Sequence, residues 1–199
     1  MALEVSVVIA WRENIMPIHP LSIPETEPAT EYLDGRLVRK MSPYGLHARV
    51  QRILAAALGE WADDGGRGRV GTEWDFDLTP HGEGTNRLVP DVAFVSYDRI
   101  SFEDEEAAQV PVVGPNAAVE VLSPGQSLAS CRRRIEIFLA CGTELVVLVD
   151  PRAEEAWLVD AQTTRRLSCE ESLEHPALPE FALPLRRCFE RIPPGGRKP

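Results

Sequence analysis

The apolar residues of the chain follow two periods, and the switches between them outline its elements. From Leu46 to Trp61 they recur every three or four positions, at Leu46, Val50, Ile53, Leu54, Ala57, Leu58 and Trp61, the spacing of one buried helical face. Asp63-Asp64-Gly65-Gly66 stops that helix. A second helix is predicted from Ser127, an N-cap residue type, to Cys141, with Gly142 as its terminator. Leu128, Ile135, Phe138 and Leu139 form its apolar face, and Arg132, Arg133 and Arg134 surround the polar side. Between Val70 and Thr79 the period shortens to two, with Thr72, Trp74, Phe76 and Leu78 on one face and Glu73, Asp75 and Asp77 on the other. That pattern predicts one strand with a solvated acidic face.

Continuous apolar runs mark buried strands at Arg87–Ser96, Asn116–Leu122, Glu144–Asp150 and Glu155–Val159. The strand-helix-strand order from Val119 to Asp150 predicts a right-handed parallel crossover. Asp34-Gly35, set between the strand-like runs of residues 31–41, is a strong hairpin signal. Upstream, Glu4–Trp11 has strand character, and residues 12–30, interrupted by Pro17, Pro20, Pro24 and Pro28, read as an extended arm against a neighbouring subunit. Residues 161–185 hold short strand-like pieces with a turn at His175-Pro176, followed by a short helix near Leu185. The expected organisation is an N-terminal strand and arm (1–30), an α/β domain with a mixed central sheet, flanking helices and an N-terminal β-hairpin (31–190), and a disordered tail (191–199).

Charge narrows the function classes. The chain of 199 residues carries 31 acidic against 21 basic residues, a net charge of −10, which disfavours a life of non-specific phosphate contacts while leaving room for a local arginine patch. Cys131, Cys141, Cys169 and Cys188 form no Cys-x-x-Cys pair and have no histidine at zinc-ligand spacing, so they read as reduced and structural. Leu3–Ala10 is too short to span a membrane and lacks a basic leader; a cytoplasmic protein with no membrane contact is expected.

Two carboxylates break otherwise apolar runs. Asp91 follows Pro90 at the head of Val92-Ala93-Phe94-Val95, and Glu120 lies inside Ala118-Val119-Glu120-Val121-Leu122. Burying either charge alone costs several kcal/mol, on the order given by ion transfer into a protein interior, so something positive must stand beside it. A Mg²⁺ or Mn²⁺ ion, which takes one or two carboxylates plus water and phosphate oxygens, is one answer, with Glu73 within reach of such an ion. Pairing of Glu120 with an arginine is another, and a place for one of the two acids at an exposed strand end is a third. His47, at the start of the first helix, reads more readily as a satisfied structural residue than as a ligand.

Hairpin, helix, Pro90-Asp91, Glu120-Val121-Leu122-Ser123-Pro124, helix, Gly142-Thr143-Glu144-Leu145 and Val149-Asp150-Pro151 together resemble the Uma2 family, a restriction-endonuclease-like group of the PD-(D/E)xK nucleases. The resemblance spans Glu31 to Val159, and Lys40-Met41-Ser42-Pro43 followed by His47 is similar to a branch abundant in cyanobacteria. It implies a restriction-endonuclease-like fold and Mg²⁺-dependent (or Mn²⁺-dependent) hydrolysis of DNA. Asp91 and Glu120 would hold the metal, the Val121 carbonyl would complete its shell, and Glu31 and His47 match further positions near it. A homodimer is expected as well, from the flat hairpin and the arm.

One departure from the family pattern is chemical. The superfamily lysine belongs two residues after the glutamate, where this chain has Leu122; on the following helix, where relatives often place it, stand Ser130 and Arg134. The only lysines are Lys40 and Lys198. Either Lys40 or Arg134 supplies the positive charge, or the protein is a silent relative that works as a binding or assembly module. Arginine can grip a phosphate bidentately but cannot act as a general base.

Overall fold

The computed structural model describes residues 30–39, 44–79 and 85–191. The strand expected at Glu4–Trp11, the proline-rich arm up to residue 29, Lys40 and the tail from residue 192 lie outside them. The hairpin forms as expected from β1 (Thr30–Leu33) and β2 (Arg36–Arg39), with Glu31 opposite Val38. Asp34 and Gly35 adopt φ of +49° and +73°, the positive values that let a two-residue turn follow the strands' right-handed twist. The first helix, α1 (Gly45–Asp64), buries Val50, Leu54, Leu58 and Ala62, four residues apart along one face.

The alternating run after it is not one strand. It divides into β3 (Gly68–Thr72) and β4 (Phe76–Asp77), because Glu73 turns into the left-handed region at φ +51° and sends the chain into a different sheet. The acidic face is therefore not solvated as a unit. Asp77 is buried, Asp75 accepts from Arg87 Nε at 3.2 Å, and only Glu73 stands exposed. Arg87–Ser96 likewise splits into β5 (Arg87–Leu88) and β6 (Val92–Ser96), separated by Val89-Pro90-Asp91, where the proline cannot donate to a ladder.

Downstream the elements fall where the pattern put them: β7 (Ala117–Val121), α2 (Leu128–Ala140), β8 (Leu145–Asp150), β9 (Glu155–Val159), β10 (Thr164–Ser168), β11 (Ser172–His175), β12 (Leu178–Pro184) and the short α3 (Arg186–Phe189). The central sheet runs β10-β9-β8-β7-β6-β3, with β7–β8 as its one parallel pair. A second sheet runs β2-β1-β5-β4, and β11 pairs with β12. Strand period sorts the central sheet's side chains into two layers. Phe94, Val119, Val121 and Val147 pack with Leu54 and Leu58 of α1, while Ala93, Val95, Ala118 and Leu148 pack with Ile135 and Phe138 of α2. Glu120 shares the parity of Ala118 and so belongs to the α2 side.

Backbone approach fixes one more position. A Cβ at Gly68 would lie 2.1 Å from the Val95 carbonyl oxygen and 2.8 Å from the Phe94 ring, so β3 can lie against β6 only with glycine there. Gly68→Ala is expected to lower stability by about 1–3 kcal/mol, the usual cost of overpacking. Urea denaturation checks this; an unchanged midpoint would mean that β3 is free to shift.

Candidate active site

Antiparallel register brings the two acids together. Val92 is paired with Val119, and one step further along the same ladder Asp91 stands opposite Glu120. Asp91 Oδ2 accepts the Val121 backbone N–H at 2.6 Å and lies 3.4 Å from His47 Nε2, which reaches over from the first turns of α1. Gln51, one turn further along α1, donates through Nε2 to the Asp91 carbonyl and to Glu73 Oε1, both at 2.9 Å. The backbone and the carboxyl of Asp91 are thus fixed from two elements at once.

Glu120 is held differently. Arg134 donates to its Oε1 through Nε at 3.2 Å and through Nη2, and the same guanidinium donates through Nη1 to Glu31. The helix start explains why Arg134 points inward. Ser127 and Ser130 close a capping box, with Ser127 N donating to Ser130 Oγ at 2.8 Å and Ser130 N to Ser127 Oγ at 3.3 Å, so the helical phase is set and Arg134 falls one turn after Ser130 on the same side. Ser130, one of the positions where a lysine was sought, is occupied by capping. Arg133 faces the other way and donates to Asp34 Oδ2 at 2.8 Å, fastening the hairpin turn to α2. Through it the Asp34 carboxyl sits below its ordinary range.

Glu31, His47, Asp91, Glu120, Ser130 and Arg134 line one cleft of about 160 Å³. Glu31, His47 and Asp91 are 5%, 8% and 4% exposed. Five of the six residues expected at the site therefore converge, and Lys40 lies outside the described residues. Glu73 does not line the cleft; it is exposed and tied to Gln51. Of the two partners left open for Glu120, the arginine stands in hydrogen-bond contact with it. Among the described residues no three His, Cys, Asp or Glu side chains already surround a metal-sized point. Gln51 was missed, since one glutamine on a helix carries no sequence signal.

Electrostatics follow from three neighbouring carboxylates, two of which share one guanidinium. Burial pushes the Glu120 carboxyl up to about 7; Arg134 pulls it back, while Asp91 and Glu31 push in the same direction as burial. Burial also works against the charge on Arg134, but Glu120 and Glu31 outweigh it and hold the guanidinium above its ordinary value.

Residues 18–186 match the model of Uma2, described as "Putative restriction endonuclease". The chain belongs to the Uma2 family. A solved relative, described as "a putative nuclease belonging to DUF820" from Anabaena variabilis, superposes with a TM-score of 0.73 at 26% identity, covering 83% of this chain and 92% of that one. No functionally curated protein matches. The Uma2 resemblance and its nuclease-like fold thus stand, and restriction-endonuclease-like families generally use divalent metals. No helix among the described residues is long and apolar enough to cross a membrane, which leaves β-barrel proteins unaddressed.

A stability test reads the cleft directly. Glu120 takes up a proton more readily folded than unfolded, so this group's contribution is fully present below its unfolded value of 4.5 and is lost as pH rises towards about 7. Glu120→Gln cannot ionise, so its stability relative to the native chain is expected to rise between pH 5 and pH 8, by at most roughly 3 kcal/mol. Urea midpoints at the two pH values check it, and a flat difference would mean that Arg134 fully compensates Glu120.

Proposed function

We propose that this Uma2 protein is a Mg²⁺- or Mn²⁺-dependent endonuclease that hydrolyses DNA at the Asp91–Glu120 cleft. The observation that carries the reading is the convergence of three carboxylates, Glu31, Asp91 and Glu120, in one cleft where Arg134 pairs with only Glu31 and Glu120, and where burial, with the neighbouring acids adding to it, pushes the Glu120 carboxyl up to about 7. Such a site gains by taking up a cation. The donors suit a hard one, since Asp91 and Glu120 offer carboxylate oxygens from adjacent strands and Mg²⁺ needs only one or two of these with water and phosphate. Asp91 and Glu120 would hold the ion, with the Val121 carbonyl, Glu31 and His47 as further ligands. The bound ion would supply Lewis acidity at the phosphate and a water of lowered pKa.

The chain's own side chains have separate tasks. His47 and the Val121 N–H fix Asp91, and Gln51 fixes its backbone. Arg134 stays protonated and grips a phosphate oxygen or steadies the charge that develops there, without serving as a base. Lys40, next to the cleft-lining Arg39, is the remaining candidate for that charge. A dimer belongs to the same reading: β2 is exposed along its length, and its edge would meet a second copy.

One observation favours a second reading. Arg134 already engages Glu120 and Glu31, so the cleft can also be a nuclease site converted to a structural ion pair in a binding module. Calorimetric titration with Mn²⁺, followed by cleavage assays on single- and double-stranded DNA, separates the two. The enzyme reading expects Mn²⁺ binding that falls by about 100-fold or more in Asp91→Asn and Glu120→Gln. It also expects cleavage that survives in Arg134→Lys. Mn²⁺ affinity unchanged in both carboxylate variants would end the metal reading; binding without cleavage would favour the module.

A further inference from the structure

We infer that the groove between α1 and α3 is a second anion site, one that holds the phosphate backbone of nucleic acid outside the cleft. It rests on the nuclease reading above. The groove, about 480 Å³, is lined by Arg49, Arg52, Arg187 and Arg191 against two carboxylates, Glu60 and Glu190. In a chain of net charge −10 this is a local reversal of sign. Some surface arginines elsewhere are committed: Arg67, Arg69 and Arg99 each pair with a glutamate, while Arg36, Arg132 and Arg152 stand singly rather than clustered in a groove. None of the four groove arginines makes an ion pair with a described carboxylate. Arg49 is held in place by donating from Nη2 to the Phe189 carbonyl at 2.8 Å, and its buried Nε has no partner among the described residues. Arg52, Arg187 and Arg191 are exposed around it.

The ligand class follows from the lining. Between the guanidiniums the floor is Ile53, Ala56 and Ala57, with no aromatic ring among the described lining residues on which a base would stack. Contacts are therefore to phosphate, bidentate and indifferent to sequence. Position ties the groove to the cleft, because α1 carries His47 on one side and Arg49 and Arg52 on another.

The test is fluorescence polarisation with labelled 20-mer single strands and duplexes in EDTA, where no metal-dependent cleavage occurs. Arg52→Glu with Arg187→Glu removes two exposed cations while sparing Arg49, and thermal melting verifies the fold. Its affinity is expected to fall at least 10-fold, equally for unrelated sequences, with the slope of log K against log salt reduced by about 2. A matched reversal elsewhere, Arg152→Glu with Arg165→Glu, should cost much less. Wild-type affinity and slope in the groove variant, an equal loss in the matched reversal, or no DNA binding by the native chain would each overturn the site. Mn²⁺ titration of the groove variant keeps the two proposals apart. Unchanged Glu120-dependent affinity with lost DNA binding supports the groove, whereas DNA binding lost at the groove without any Mn²⁺ affinity supports the groove and removes the metal reading.

Discussion

One guanidinium ties together three parts of the chain that meet nowhere else in sequence. Arg134 comes from α2, Glu120 from the central strand β7, and Glu31 from the hairpin of the second sheet. Removing the arginine would leave two buried acids uncompensated, and breaking such a pair costs about 3–5 kcal/mol, comparable to the whole stability of a marginal domain. Its neighbour Arg133 fastens the hairpin turn from outside through Asp34, an exposed pair that contributes little by itself. Two successive residues of one helix thus anchor the hairpin, one from within the cleft and one from solvent.

That arrangement gives the cleft a dual character. The charge that stabilises the metal-free protein also competes for the oxygen atoms a cation would use. A lysine at either helix position would make fewer fixed hydrogen bonds, because its ammonium lacks the planar fork that lets Arg134 serve two carboxylates together. An arginine at this position therefore bears on more than proton chemistry: it makes the acid cluster part of the architecture.

Much of this was legible in residues. The four-residue spacing of Val50, Leu54 and Leu58 located α1, Asp34-Gly35 the hairpin, and Ser127 the start of α2, because each signal is local and its partner lies within a turn. Asp91 and Glu120 stood out because apolar runs do not carry charges without cause. The strand breaks at Glu73 and Pro90 were not legible as such, since alternation reports which side a residue faces and not which sheet it enters. Nor did the pattern say whether Arg134 faced outward with Arg132 or inward; that depends on helical phase against a strand many residues away.

Asp91 occupies the three-residue passage from β5, in one sheet, to β6, in another. Its placement is thus counted in whole residues from both sides. Inserting or deleting one amino acid between Leu88 and Val92 would throw Asp91 to the opposite face or pull the two sheets out of step, whereas loops such as the exposed turns after Ser101 would absorb the same change. The passage between sheets is a ruler for the site. Length variation among chains of this family should be scarcest there, even where the identities of the residues themselves drift.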